Sequence, residues 1–429
     1  DSVRSYAYTA DGRLASASIS GMPDAAYAYE PGTGNLIGIK RGSEPTTTLA
    51  YEQGSGRIAA LLSQGATQTV FSFDSRGRRA SQGTPASPQT VRFFYDDADR
   101  LVGYSDASRG VSASYAYDAY GQRVRSVVAS GSLVATTAYA YDGLSLLRAT
   151  TARSDGTTES VTYLYDAAGA PFAGIYEGSA AASPVAFFIA TTARGDVAEL
   201  LDSSGAPFAL YSYDAYGNPG QVSTAATARI SAPLAEAIAE ANALRYAGYV
   251  FDEHSGLYCL SKRYYDPATA QFLTKDPAKA DGEESPYQYC GGDPVGKVDP
   301  SGLHSSAYGA HRHIDGYPDN SWWTEWRDGT SIKMVRVGSI RNSAGRWDLC
   351  RWARRQHMYI GVNPWTHLIV SKALILRLRG VSKALGRAAE CAFDAYLIVK
   401  VGSEGRFGFQ VYRISRWKRY GEVFRIRVS

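Results

Sequence analysis

A chain of 429 residues with 45 Lys and Arg against 41 Asp and Glu is too long for one ordinary core, so it forms at least two domains or one elongated repeat body. Its net charge of +4 conceals a division: residues 1–303 hold 23 basic against 32 acidic groups, a net −9, and residues 304–429 hold 22 against 9, a net +13. No apolar run approaches the roughly twenty residues of a membrane helix, and the four cysteines, Cys259, Cys290, Cys350 and Cys391, have neither CxxC spacing nor the density of a disulfide scaffold.

Residues 1–244 are repetitive. Aromatic residues at Tyr8, Tyr29, Tyr51, Phe73, Tyr95, Tyr117, Tyr141 and Tyr165 recur every 21 to 24 residues, most with a second aromatic two residues earlier, as in Tyr27/Tyr29 and Tyr115/Tyr117. A period of two places both rings on one face of a β-strand. An acidic residue and then a glycine follow, as Asp118 with Gly121, Asp166 with Gly169, Asp214 with Gly217 and Glu30 with Gly34. That is the pattern of a tight turn, in which Asp bonds its own backbone and Gly supplies a positive φ. Each unit therefore reads as a β-hairpin of two strands. A lone hairpin buries too little surface to stand by itself, so neighbours must pair edge to edge into a continuous sheet. The tyrosines read as packing groups without chemistry. From Phe187 the rhythm changes, and the Ala-rich insertion from Pro219 to Leu244 predicts one short helix, Pro233 to Leu244, with Ser231 as its cap and Pro233 in its first turn.

The repeat Tyr115-Ala116-Tyr117-Asp118-Ala119-Tyr120-Gly121 resembles the YD repeat. The stretch from Arg245 to Leu303 carries Gly256-Leu257-Tyr258, Arg263-Tyr264-Tyr265-Asp266-Pro267, Asp276-Pro277, Tyr287-Gln288-Tyr289 and Asp299-Pro300-Ser301-Gly302-Leu303. These motifs, in this order, resemble the RHS repeat-associated core domain of bacterial Rhs and YD-repeat polymorphic toxins and of the C components of Tc toxin complexes. The resemblance implies a mainly β fold, a β-hairpin shell segment with a small α+β domain at its C-terminal end. It divides the chain into an array at 1–244, a core at 245–303 and a variable effector at 304–429.

It also implies aspartyl autoproteolysis, with Asp276 and Asp299 as the acid/base pair and Leu303–His304 as the bond cut. Two carboxylates suit amide hydrolysis because, held close, they cannot both ionise, leaving one to donate a proton while the other activates water. The sequence departs from the family pattern at Lys279, where the first element has Gly, and at Asp293, where Asn is customary before Pro294. Asp-Pro and Ser-Gly are also turn formers, so the same motifs read as folding elements alone.

The tail has another composition: all seven Trp and five of the six His lie beyond Leu303. Helical spacing predicts an amphipathic helix from Ser371 to Ala395, and alternation predicts strands at Tyr396–Val401, Phe407–Ile414 and Glu422–Val428. Its +13 charge and the basic residues Arg416, Lys418 and Arg419 around Trp417 suit a phosphate backbone. His311, His313 and His357 are the candidate acid/base residues of a metal-independent nuclease. No HxxEH, PCxxC or phosphate-loop motif is present, so no metal or cofactor is implied. The implied partners are an upstream shell portion, an immunity protein and a nucleic-acid target, with secretion or surface delivery into a target cell. A YD-repeat surface or adhesion protein without enzymatic activity is the alternative.

Overall fold

The computed structural model describes residues 4–166, 169–277, 285–303 and 305–307, and in the tail the strands Thr324–Arg327, Ser331–Met334, Ala395–Val401 and Phe407–Arg413. Two compact units result, residues 1–165 with 170–308, and residues 309–429 with 166–169. The fold is mainly β. In the first unit a 20-stranded sheet runs in chain order from Arg4–Tyr8 to Ser223–Thr224, each strand antiparallel to the next.

The turns form as their composition dictates. Asp74 Oδ1 accepts the amides of Arg76 and Arg78 (2.9 and 3.0 Å), Asp118 those of Tyr120 and Gln122 (both 2.9 Å), and Asp214 those of Tyr216 and Asn218 (2.9 and 3.0 Å). One carboxylate oxygen thus satisfies two turn amides that the ladder leaves unpaired. The anchor aromatics stand at or next to the ends of their strands, and at each the register slips: Ala28 faces Gly38 while Tyr29 faces Leu36, and Ala116 faces Arg125 while Tyr117 faces Arg123. Such a bulge, repeated at the same place in successive hairpins, bends the sheet and adds twist each time. The bending brings the first hairpins to the last, where the Tyr29 and Tyr216 hydroxyls meet at 2.7 Å and Arg41 pairs with Asp214 at 3.0 Å.

The anchor hydroxyls have a role that composition did not reveal. Tyr51 donates to the Leu36 carbonyl (2.8 Å), Tyr95 to Arg79 (2.8 Å), Tyr117 to Leu101 (2.5 Å) and Tyr165 to Leu146 (2.8 Å). In each case the acceptor is the residue that faces the preceding anchor. Every such bond ties one hairpin to the one before it, each worth about 1 kcal/mol.

Residues 245–303 form a second, four-stranded sheet from Val250–Asp252, Leu257–Cys259, Tyr264–Asp266 and Gln271–Phe272. Around it Tyr246, Tyr249, Tyr258, Tyr265, Phe272 and Tyr289 are all buried, with Tyr265 stacked on Tyr289 at 4.3 Å between ring centres. This layer reaches across the array to the turns of separate hairpins: Gln288 Nε2 to Gly34 O (2.9 Å), Tyr287 OH to Gly77 O (2.6 Å), Lys262 Nζ to Tyr120 O (2.5 Å) and Tyr258 OH to Gly217 O (2.7 Å). Gly217 is needed there, since its φ is +90° and a Cβ would stand 2.8 Å from the Tyr246 ring. Buried arginines of the array complete the union, Arg79 with Asp266 (2.5 Å) and Arg123 with Asp252.

The expected helix is Ala232–Ala241, starting after Ser231 with Pro233 in its first turn. It ends before Leu244 because the buried Asn242 side chain turns to other partners, the Tyr163 hydroxyl (3.1 Å) and the Leu244 carbonyl (3.0 Å). Arg245 then donates to the Ala239 carbonyl at 3.0 Å, satisfying a helix end that has lost its next turn. In the tail, Ala395–Val401 pairs with Phe407–Arg413, where two strands were expected, and Thr324–Arg327 pairs with Ser331–Met334. The expected helix from Ser371 lies outside the described residues up to its last position, where Ala395 opens a strand instead, and the expected strand at 422–428 lies outside them altogether. Among the described residues no helix is long and apolar enough to cross a membrane.

Candidate processing site

Asp276 and Asp299 come from opposite ends of the core's last segment. Asp276 follows the strand Gln271–Phe272 and its amide donates to the Pro286 carbonyl (3.0 Å); Asp299 follows the strand Lys297–Val298. The fold brings them to one guanidinium. Arg263 Nη2 lies 2.9 Å from Asp276 Oδ2 and 3.6 Å from Asp299 Oδ2, and all three side chains are about 5% exposed or less. Arg263 also stacks over the Phe272 ring at 3.6 Å and donates to the carbonyls of Gly302 and Pro286.

Burial pulls the Arg263 guanidinium below its ordinary range, against Asp276 and Asp299, which push it up. An arginine starts so high that it keeps its charge. One guanidinium offsets one of two carboxylates, so the buried trio is electrically neutral when the pair holds a single proton. The Asp-Pro motifs mark the two carboxylates and leave the cation between them unmarked. Its signal was available, because Arg263 opens the Arg-Tyr-Tyr-Asp-Pro run and a core this apolar cannot hold a lone buried arginine.

Asp299 also shapes the chain that follows it. Its Oδ1 accepts the amides of Gly302 (2.8 Å) and Leu303 (3.1 Å), closing a turn that ends on Leu303. Gly302 has φ +78°, and a Cβ would sit 3.0 Å from the Leu260 carbonyl and 3.1 Å from the Arg263 amide; only glycine fits without strain. Behind Asp299, its own amide donates to the Tyr249 hydroxyl (2.8 Å), which meets the Tyr289 hydroxyl at 3.0 Å. Burial raises both phenols far above their ordinary range, so they stay neutral and serve to position Asp299. Cys290 is no alternative nucleophile: burial first, and then the Asp299 carboxylate, push its thiol up, away from the reactive thiolate.

Leu303 is partly buried, and Ser305 to Ala307 continue the chain beyond it. His304 and Lys279 lie outside the described residues, as do His311, His313, His357, Arg416, Lys418 and Arg419. Among the described residues no group of His, Cys, Asp and Glu could hold a metal ion.

A meander of bulged YD hairpins, tied to an aromatic core that carries a carboxylate–guanidinium–carboxylate cluster, defines an RHS/YD-repeat shell protein. The chain belongs to the teneurin YD-shell family, whose model matches residues 2–289. It is 29% identical over 309 residues to the tRNA3(Ser)-specific nuclease WapA of Bacillus spizizenii, covering 69% of this chain and 12% of that protein. It is 30% identical over 256 residues to the double-stranded DNA deaminase toxin A of Burkholderia cenocepacia, covering 55% of this chain and 17% of that protein. Among solved structures, TcdB2-TccC3-Cdc42 is similar with a TM-score of 0.49 at 18% identity, over 70% of this chain and 17% of that one. The chain thus spans less than a fifth of the length of these relatives.

Proposed function

We propose that this chain is the shell-and-core segment of an RHS/YD-repeat polymorphic toxin, whose core at 245–303 severs the Leu303–His304 bond and frees the basic effector at 304–429. The observation that carries this reading is the meeting of Asp276 and Asp299 on Arg263, with Asp299 bonded to the Leu303 amide. In the hydrolysis, one carboxylate takes a proton from water as the water oxygen bonds to the Leu303 carbonyl carbon. The carbon–nitrogen bond then breaks, and the departing nitrogen takes the proton held by the other carboxylate. Arg263 positions both groups and offsets their charge.

The test is intact-mass measurement of the purified chain. A fragment beginning at His304 is expected, and Asp276→Asn and Asp299→Asn should each abolish it; a wild-type chain that stays whole contradicts the reading.

For the effector, the relatives' names supply the direction: one acts on tRNA and another on double-stranded DNA. With the +13 charge of residues 304–429, they favour a nucleic-acid target held by Arg416, Lys418 and Arg419, with His311, His313 and His357 as candidate catalytic groups. Delivery from the producing cell into a target cell, with an immunity protein guarding the producer, completes the proposal. Expression of 304–429 in bacteria decides between this and a non-enzymatic surface protein: growth arrest with nucleic-acid damage is expected, and full viability favours the surface protein.

A further inference from the structure

We infer that the core also grips the chain on the far side of the cut, using main chain alone: the strand Lys297–Val298 is a docking edge for the extended segment that follows the scissile bond. This rests on Leu303–His304 as that bond. Val298 faces Ser306 and Lys297 faces Ala307 in an antiparallel pair. Val298, buried in the core, leads directly into Asp299. The chain therefore leaves its strand at Asp299, turns through Gly302, passes the bond and returns onto the strand it left.

The bond is consequently held from both sides. On the acyl side, Asp299 Oδ1 fixes the amides of Gly302 and Leu303, and Arg263 fixes the Gly302 carbonyl. On the amine side, the third and fourth residues after the cut are fixed by the ladder. A ladder of this kind recognises extended backbone and leaves side-chain identity unread. The subsite therefore takes any peptide able to run extended at those two positions and rejects proline there, which lacks the N–H and is confined in φ. A two-residue pair is weak by itself, so it aligns the departing nitrogen during the reaction. Afterwards it holds the new amino terminus beside the core until the strand peels away.

The experiment follows cleavage of the full chain by intact mass after synthesis, comparing S306P/A307P with S306V/A307V. The proline variant should be cut at least tenfold more slowly than the valine variant. Equal rates overturn the docking edge and leave the assignment of the bond standing; a wild-type chain that is never cut removes both. Hydrogen exchange on the uncut Asp276→Asn full chain reads the pairing directly and guards against a misfolded proline variant. Slow exchange at Val298, lost on adding S306P/A307P while Val250–Asp252 stays protected, is expected, with Lys297, whose amide donates to the Asp293 carbonyl (3.2 Å), unchanged. Fast exchange at Val298 in the Asp276→Asn chain, with Val250–Asp252 protected, overturns the inference.

Discussion

Replacing Asp252 by Asn probes how the array and the core hold each other. Arg123, 1% exposed, belongs to the array strand Arg123–Ser130, and Asp252 to the core strand Val250–Asp252. Both terminal guanidinium nitrogens bond the carboxylate, Nη2 to Oδ1 at 2.8 Å, and Nη1 also bonds the Tyr264 hydroxyl at 2.8 Å. The rings of Tyr139, Tyr115 and Tyr264 surround the cation at 4.7, 5.3 and 5.8 Å. With water excluded, removal of the anion leaves a buried charge whose remaining partners are neutral, a loss of about 3–5 kcal/mol. Native-state hydrogen exchange of the Val250–Asp252 amides should accelerate by about a hundred- to several-thousand-fold, at 1.4 kcal/mol per decade. The double substitution Arg123→Met with Asp252→Leu should recover at least half of the loss, since an apolar pair of similar size strands no charge. A loss below about 1 kcal/mol in Asp252→Asn would refute the claim that this pair joins shell to core.

Two further outcomes follow from the same packing. His254, against the Tyr104 and Tyr115 rings and bonded to the Tyr115 hydroxyl at 2.6 Å, has its pKa lowered by burial, opposed by Asp252 and reinforced by Arg123 and Arg109. Below about pH 6.5 the unfolded chain takes a proton there that the folded one refuses. Stability should fall as pH drops from that point towards the folded pKa. Denaturant midpoints at pH 7.5, 6 and 5 should show this slope and a smaller one in His254→Gln; equal slopes exclude His254 as the source. Gly302→Ala should slow cleavage at Leu303 by about five- to 150-fold, because the positive φ and contacts of 3.0 and 3.1 Å force the Asp299 turn open at about 1–3 kcal/mol. Wild-type kinetics in that variant would show that the turn does not set the reaction.

Much of the fold was legible because it depends on short-range rules. The aromatic doublets, the Asp-to-Gly spacing and the 21- to 24-residue period fix strand, turn and repeat through alternation and backbone sterics, which act within a few residues. Glycines such as Gly121 and Gly217 take the positive φ that their turns require. Asp276 and Asp299 were likewise marked by their motifs. Arg263 was not placed between them, because nothing local to Arg263-Tyr264 says which carboxylates will meet it. The destination of each anchor hydroxyl is likewise set by inter-hairpin register, whereas the bulge that bends the sheet lies beside the turn of each hairpin. The early end of the helix depends on Asn242 finding Tyr163, a residue of another element. The sequence by itself determined the period and the turns, and its motifs marked Asp276 and Asp299 but not Arg263. Tertiary structure alone decided which charges share a buried space and which strand edge receives the chain beyond Leu303, because burial and pairing depend on segments brought together from opposite ends of the unit.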